Sequence, residues 1–588
     1  MDTRIVKRIK LKKLYSEPEI FNPIEFSDGV NIILGEKSDS TTTAGRKTNG
    51  VGKSMCIEFI NFCLLKKYSD SRIALIPKNV LDESVTIKLD LEIGREQITI
   101  SRNRLSHEQP TILKDGKDIH FESIEETQRF LKDLLYVDLK DSLLPSFREL
   151  LSPLIRDERS EFKSILESFD VSKKIPVNYV PHLFFLSVPL DVYKKTRDTV
   201  KKIEDVKNIS KNSKREVTNN NQKKISDVKA ELNALNDDIK NMSDAIESFK
   251  SNESFNSLEK ELIHIEDAQD KLRIRAKSIS YELQKINSLP KPETIETEEV
   301  EFIYNKFRQG LGDFIVRSLE ETLLFKEKIE SFQRSLINQR AAELREEYEE
   351  ISIELRRLDD LYSGKLSIID QRGVLKNLKS SLRIYHQKTI DYSKKIGLFR
   401  EYEAAEKEKK ALNLQKTQEV IELDKSLEDR KKIIDSFIDT LLDIHYYIMG
   451  NKECSFTIDT INNTSKQTIE IDLRIFDDGS HSVDRTKVFI YDMALLFNQH
   501  TRNRHPGFLI HDNIFDVDQD TLVQSLNLLA REENLSPDFQ YILTLNRDKI
   551  EHEENQKQIK LNIEGHKVAV FTKQNKFLNK NYQELQRS

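Results

Sequence analysis

The chain reads as two α/β lobes, one at each terminus, separated by a long antiparallel α-helical coiled coil. Three observations point there. The first is composition: 33% of the 588 residues are charged, while glycine (16), proline (13) and tryptophan (0) are scarce. Many straight-chain residues and few chain breakers suit long helices. The second is a 3-4 alternation of apolar residues through the middle of the chain. The third is a change to short β-type apolar runs at both ends.

The N-terminal lobe is expected over residues 1–190, with a helical insertion at about 120–190. Arg4 to Leu14 alternates charged and apolar residues, as a strand with one wet face does. Its Lys7, Arg8, Lys10, Lys12 and Lys13 either touch phosphates or protect a solvated edge strand from aggregation. Within Phe26–Gly35, the run Val30-Asn-Ile-Ile-Leu34 reads as a buried strand ending at a glycine. Ser54 to Lys66 has helical apolar spacing. Val85–Gly94 and Glu96–Asn103 form a hairpin around Gly94. Helices are expected at Ser123–Leu135 and Leu144–Ile155.

The outgoing arm of the coiled coil covers 191–288. Ile225, Val228, Leu232, Leu235, Ile239, Met242, Ile246 and Phe249 keep heptad a/d spacing, resumed from Leu258 through Leu262, Ile265, Leu272, Ile279 and Leu283 to Ile286. A sustained a/d seam with charged flanks is a specific coiled-coil signal. Pro290 and Pro292 then break the helix in a turn at 289–299. Heptads return at Leu344, Tyr348, Ile351, Leu355 and Leu358, within a returning arm at 300–449. An arm of roughly 95 residues would span roughly 140 Å at 1.5 Å per residue. The returning stretch is longer, which implies a break or a short extra helix near Gly364 or Gly397. The C-terminal lobe covers 450–588. There Cys454–Ile461 and Thr468–Phe476 alternate as strands, Asp484 to Phe497 is helical, and Gly507–Asp512 and Phe539–Asn546 are apolar runs of the buried parallel kind.

The net charge of −6 gives no whole-chain support for nucleic-acid binding, although a local basic face remains open. Cys56, Cys63 and Cys454 show neither metal spacing nor a disulfide framework, which fits a reducing compartment. The N-terminus lacks the apolar core of a signal peptide, and no apolar run spans a bilayer. A cytoplasmic protein with no membrane contact is expected. No nuclease constellation, zinc motif or Ser/His/Asp arrangement stands out.

Thr48-Asn49-Gly50-Val51-Gly52-Lys53-Ser54 lies between an expected strand and an expected helix, the context a phosphate loop needs. Gly35, at the end of that strand, marks the strand-to-loop junction. Glycines let backbone N–H groups turn onto phosphates, and a helix N-terminus adds partial positive charge. Lys53 would reach the β- and γ-phosphates of ATP, and the Ser54 hydroxyl would hold Mg²⁺. The usual first glycine is here Lys47, so the polar stretch after Gly35 reads as an insertion. Its loop-closure cost grows slowly with length. Near the other end, Gly507-Phe-Leu-Ile-His-Asp512 is an apolar strand ending in an aspartate that would bind the Mg²⁺ shell.

A strand-glycine junction, a phosphate loop, a coiled coil and then Phe508-Leu-Ile-His-Asp512 together resemble the SMC-like and DNA-repair-type ABC ATPases. That resemblance implies an α/β ABC-type ATPase head assembled from the N- and C-terminal lobes, and two heads that sandwich ATP as a homodimer. Residues 144–158, 183–189, 338–340, 489–498, 508–519 and 540–548 further resemble the uncharacterised-domain family of ATPase components in bacterial ABC-three-component systems. This implies a companion effector protein, a role in defence against phage or foreign DNA, and DNA as a further partner.

Three positions depart from the ABC pattern. Asn513 stands where the water-orienting glutamate follows the aspartate, and an amide is no base. Asp478–Arg485 takes the place of the signature segment. Its Ser480 or Ser482 either approaches a partner head's γ-phosphate or caps a helix. Asn546 stands where a switch histidine is usual. His511, Asp516 or Asp518 could position water instead; for His511 the alternative is a structural role on a buried strand. Arg148 and Arg156 are either phosphate or interface arginines or solvated helix charges. Three readings follow: an SMC-like ATPase, a nucleotide-gated scaffold that binds ATP without turnover, and a coiled-coil interaction protein with a decayed head.

Overall fold

The computed structural model describes residues 5–37, 50–137, 144–173, 175–250, 259–287, 319–369, 374–462, 467–475, 481–536, 538–551, 553–580 and 582–585. The chain forms two compact units, one of residues 1–207 with 407–588 and one of residues 208–406.

The first unit holds two principal sheets. Strands β1 (Ile9–Glu17), β2 (Ile24–Glu25), β4 (Thr86–Ile93), β5 (Glu96–Arg102), β6 (Thr111–Lys114) and β7 (Lys117–His120) form a sheet in the order β2-β1-β4-β5-β6-β7. All of its pairings are antiparallel. The basic strand β1 is thus no open edge. It sits between β2 and β4, and its lysines meet carboxylates: Lys10 with Asp28 at 2.7 Å, Lys13 with Glu25 at 3.0 Å and Lys12 with Glu92 at 3.4 Å.

The second sheet is parallel and joins both ends of the chain. Its order is β13-β3-β12-β11-β8, where β3 is Gly29–Gly35, β8 is Ile155–Arg156, β11 is Phe508–His511, β12 is Gln540–Asn546 and β13 is Lys567–Phe571. N-terminal β3 lies between the C-terminal strands β12 and β13. Every residue of β3, β11 and β12 is buried. That is the pattern of parallel strands covered on both faces. A separate hairpin pairs β9 (Cys454–Thr460) with β10 (Ile469–Ile475).

The expected helix at Leu144–Ile155 is shorter in the structure. It spans Phe147–Leu151, capped by a reciprocal Ser146/Glu149 box, and passes through a 3₁₀ turn at Ser152–Leu154 into β8. Pro153 cannot donate into a continuing helix, which explains the early stop. The helix expected from Asp484 begins three residues earlier, at His481.

The second unit is helical. Across the helices Glu259–Asn287 and Leu319–Ile369, Lys365 meets Glu261, Tyr362 meets Glu266, Arg275 meets Glu347 and Arg340 meets Glu282. One partner's number falls as the other rises, so the pair is antiparallel. Its seam buries Ile279, Leu344 and Ile351, with Leu272, Leu283, Ile286 and Leu355 packed against them. These are expected heptad positions. Ile225–Lys250 pairs in the same sense with Val374–Asp429, through Asp238 with Lys388 and Glu231 with Lys395. Gly364 and Gly397 themselves lie inside helices, and the helix that contains Gly364 ends a few residues further on. One helix ends at Ile369, the next starts at Val374, and a further one starts at Lys431. The turn expected at 289–299 lies outside the described residues.

Candidate nucleotide-binding site

The helix Lys53–Cys63 starts where its sequence turns apolar: every residue but Ser54 is buried. Gly52, just before it, has φ +109°, a conformation open to glycine and strained for other residues. Gly50 is also left-handed, at φ +70°. Asn49 lies outside the described residues. Gly35 ends β3 opposite Asn546 and does not line the cavity beside Gly50–Ser54.

In a parallel sheet all C-terminal strand ends face one edge, and the crevice there is the usual ligand site. Here that edge carries a cavity of about 380 Å³. Gly50, Val51, Gly52, Lys53 and Ser54 line one side, Asp512, Asn513 and Glu158 another, and Lys576, Phe577, Lys580 and Tyr582 a third. Lys53 and Lys576 bring positive charge to this polar space, while Arg72 pairs with Glu584 and Lys580 donates to the Asn79 and Val80 carbonyls.

Lys53 is buried and donates to Asn546 Oδ1 at 2.5 Å. Burial lowers its pKa, opposed by the nearby charges of Asp512 and Glu158. Asn546 thus meets the loop lysine across the end of β12.

Asp512 is 1% exposed. Its Oδ1 accepts from the Thr544 hydroxyl at 2.8 Å. Its Oδ2 is buried with no hydrogen-bond partner among the described residues. Burial raises its pKa, while the hydroxyls of Ser54 and Thr544 pull it down. A buried carboxylate oxygen without a partner costs about 1–3 kcal/mol, or more when charged, unless a cation or donor reaches it. Asp512 and Ser54 therefore fit a Mg²⁺ ion. Among the described residues no group of three or more His, Cys, Asp or Glu side chains is arranged to hold a metal. Such an ion would complete its shell with phosphate oxygens and water, the usual Mg²⁺ habit.

Asn513 has φ +60° and is half-buried. Its N–H donates to Thr544 Oγ1 at 2.9 Å, and its carbonyl accepts from Arg485. Its side-chain amide donates to Glu158 Oε1 at 3.1 Å. Sequence reading missed Glu158. Its signal is in the pairing: β8 runs parallel to β11 with Arg156 opposite His511, so Asp157-Glu158 and Asp512-Asn513 leave the sheet side by side.

Other expected site residues lie elsewhere. His511 is fully buried, with Nε2 2.9 Å from Asp492 and Nδ1 3.0 Å from the Tyr541 hydroxyl. Both ring nitrogens are engaged in the core, so its place is structural rather than at the cavity. Burial lowers its pKa, against the pull of Asp492. Arg156 is no solvated charge but a buried partner of Asp492. Arg148 donates to the Leu64 carbonyl at 2.8 Å. Ser482 exchanges hydrogen bonds with Asp518, and Asp516 pairs with Lys549, so neither aspartate lines the cavity. Ser480 lies outside the described residues.

The C-terminal segment was also missed. Phe577 N–H donates to the Val51 carbonyl at 3.1 Å, and a Cβ on Gly52 would stand 2.6 Å from that of Phe577. Phe577 packs on Phe21, Phe59 and Phe571. The loop is thus braced by residues more than 500 positions away.

Residues 437–581 match the family described as "Uncharacterised protein conserved in bacteria (DUF2326)". The chain is 23% identical over 592 residues to the Bacillus subtilis (strain 168) protein described as "Uncharacterized protein YydD", covering 93% of this chain and 94% of that one. Among solved structures it is similar to the Smc head domain with coiled coil and joint of Pyrococcus yayanosii, at 12% identity and TM-score 0.36, over 94% of each chain. It is also similar to the Smc head domain of Pyrococcus furiosus, solved bound to the C-terminal domain of ScpA, at 10% identity and TM-score 0.32, over 92% of this chain and 90% of that one. No helix among the described residues is long and apolar enough to cross a membrane.

Proposed function

We propose that this protein binds ATP with Mg²⁺ at the cavity on the C-terminal edge of its parallel sheet. One observation carries the reading: Lys53 and Ser54 at a glycine-led helix N-terminus face a buried carboxylate, Asp512, whose Oδ2 has no hydrogen-bond partner among the described residues. The Gly50–Ser54 backbone and Lys53 would hold the phosphates. Ser54 and Asp512 would hold the ion, which when bound neutralises phosphate charge and orients the γ-phosphate.

Beyond binding, we read the protein as an SMC-like ATPase component whose heads pair around ATP and pass that state to DNA or to a companion effector, in bacterial defence. The antiparallel helical unit and the sequence resemblance support this. A nucleotide-gated scaffold with little turnover is the second reading, favoured by Asn513 in place of a carboxylate.

Binding is tested by titrating purified protein with a fluorescent ATP analogue in Mg²⁺. Saturable binding that is weakened at least several-fold in Lys53→Ala supports the site, and unchanged affinity in that variant removes it. Light scattering with and without Mg²⁺-ATP tests head pairing. A mass that doubles only with nucleotide supports it, and an unchanged mass rejects it.

A further inference from the structure

We propose that Glu158 is the general base of ATP hydrolysis at this cavity, in place of the carboxylate that Asn513 has lost; this rests on the reading of the cavity as an ATP site.

The geometry starts from strand register. Arg156 stands opposite His511 in adjacent parallel strands, and Asp512 N–H donates to the Arg156 carbonyl at 2.9 Å. Two residues beyond that pair, Glu158 and Asn513 emerge together, and the 3.1 Å bond joins their side chains. A carboxylate has thus moved by one strand and remains at the same end of the sheet. It lines the cavity beside Lys53, Ser54 and Asp512.

The other acidic groups at this edge are committed. Asp512 is buried and faces the expected ion. Glu58 is buried and accepts from the Ser71 hydroxyl, the Arg72 N–H and the Lys66 ammonium. Asp157 caps the turn after β8 through the Arg159 N–H at 3.0 Å. Glu584 is held by Arg72 and Arg159. The Glu158 side chain, among the described residues, has one hydrogen-bond partner, the Asn513 amide. It is exposed, so it can pass a proton on to solvent.

In the step, the water oxygen bonds to the γ-phosphorus as the bond to the β–γ bridging oxygen breaks. ADP leaves with that electron pair. Glu158 takes a proton from the attacking water and releases it to bulk solvent. Asn513 cannot take the proton. Its backbone is pinned by Thr544 and Arg485, and its amide holds the carboxylate, so it is a positioning residue.

The experiment uses the full chain with Mg²⁺-ATP. Glu158→Gln should slow phosphate release by about 100-fold or more, the usual share of a general base. Its affinity for the fluorescent ATP analogue should stay unchanged, and a Mg²⁺-ATP-bound dimer seen by light scattering should last longer. Asn513→Ala should lower kcat and leave KM unchanged. Wild-type turnover retained in Glu158→Gln with normal nucleotide affinity overturns the inference and leaves the binding site standing. So does nucleotide binding by the wild type with no turnover. Absence of nucleotide binding by the wild type itself overturns the ATP reading and this inference with it.

Discussion

Arg156 and Asp492 form a bidentate ion pair inside the core, with Nε 2.6 Å from Oδ2 and Nη2 3.0 Å from Oδ1. His511 adds a third bond to the same carboxylate. The cluster ties β8, β11 and the helix His481–Phe497 together directly behind Asp512. Burial pushes the Asp492 pKa up, but the Arg156 charge and the His511 bond overcome it and hold it below the usual value. Removing one partner leaves a buried charge unpaired, at a cost of about 3–5 kcal/mol. Asp492→Ala should therefore lower the denaturant midpoint strongly. Arg156→Met with Asp492→Leu should recover only part of the loss, because Arg156 also donates to the carbonyls of Ser164, Ile165 and Glu167. Equal destabilisation in the single and double variants would show that the pair is not the stabilising element.

Lys53 supplies the charge nearest the expected phosphates. Charged hydrogen bonds contribute about 1.5–3 kcal/mol each, so Lys53→Ala should weaken ATP binding by about 10- to 150-fold. Asp512→Ala should abolish the Mg²⁺ dependence of that binding at a modest cost in stability, because Oδ1 gives up the Thr544 hydroxyl bond while Oδ2 has no partner to lose among the described residues. Isothermal titration with Mg²⁺ and with EDTA reads both.

Gly52 and Phe577 approach too closely for any other residue at the loop. Gly52→Ala meets positive φ and the phenylalanine at once, so it should reduce both thermal stability and nucleotide affinity. Phe577→Ala removes a buried ring from an aromatic cluster and should cost about 3–5 kcal/mol. Thermal unfolding monitored by circular dichroism checks both. A stable Gly52→Ala protein with full affinity would show that the C-terminal segment does not brace the loop.

Acid should destabilise the first unit through buried histidines. His182 donates or accepts with the Tyr491 hydroxyl at 2.9 Å, and burial lowers its pKa from 6.5 to about 3. A base whose folded pKa is depressed takes its proton first in the unfolded chain. Stability is thus full above 6.5 and falls as pH drops below it, by about 1.4 kcal/mol per pH unit for each such group. His511 shifts in the same direction. Denaturant midpoints from pH 7.5 to 5 should fall, and His182→Gln should flatten the slope. An unchanged slope would contradict this account.

Much of the architecture was legible because its signals are local. Heptad spacing named Leu344, Ile351 and Ile279 as seam residues, and they pack together. Apolar runs marked β3, β11 and β12 within a residue or two. The misreadings share a cause. Strand β1 looked like an edge because alternation reports one wet face and not the number of neighbours. Leu144–Ile155 looked helical because periodicity cannot show where a proline-led turn becomes a two-residue strand. Strands β6, β7 and β13 are short or weakly patterned and gained definition only through pairing.

By itself, the sequence determined the loop glycines, Lys53, Ser54, the apolar strand ending at Asp512 and the heptad seam. Backbone freedom, helix period and strand burial are set within a few neighbouring residues. Tertiary structure alone decided strand order, and with it the site. Parallel register brings Glu158 to Asn513 across 355 positions, turns His511 inward to Asp492, and lays Phe577 over Gly52. Pairing between distant strands follows from packing of the whole sheet, and no local pattern encodes it.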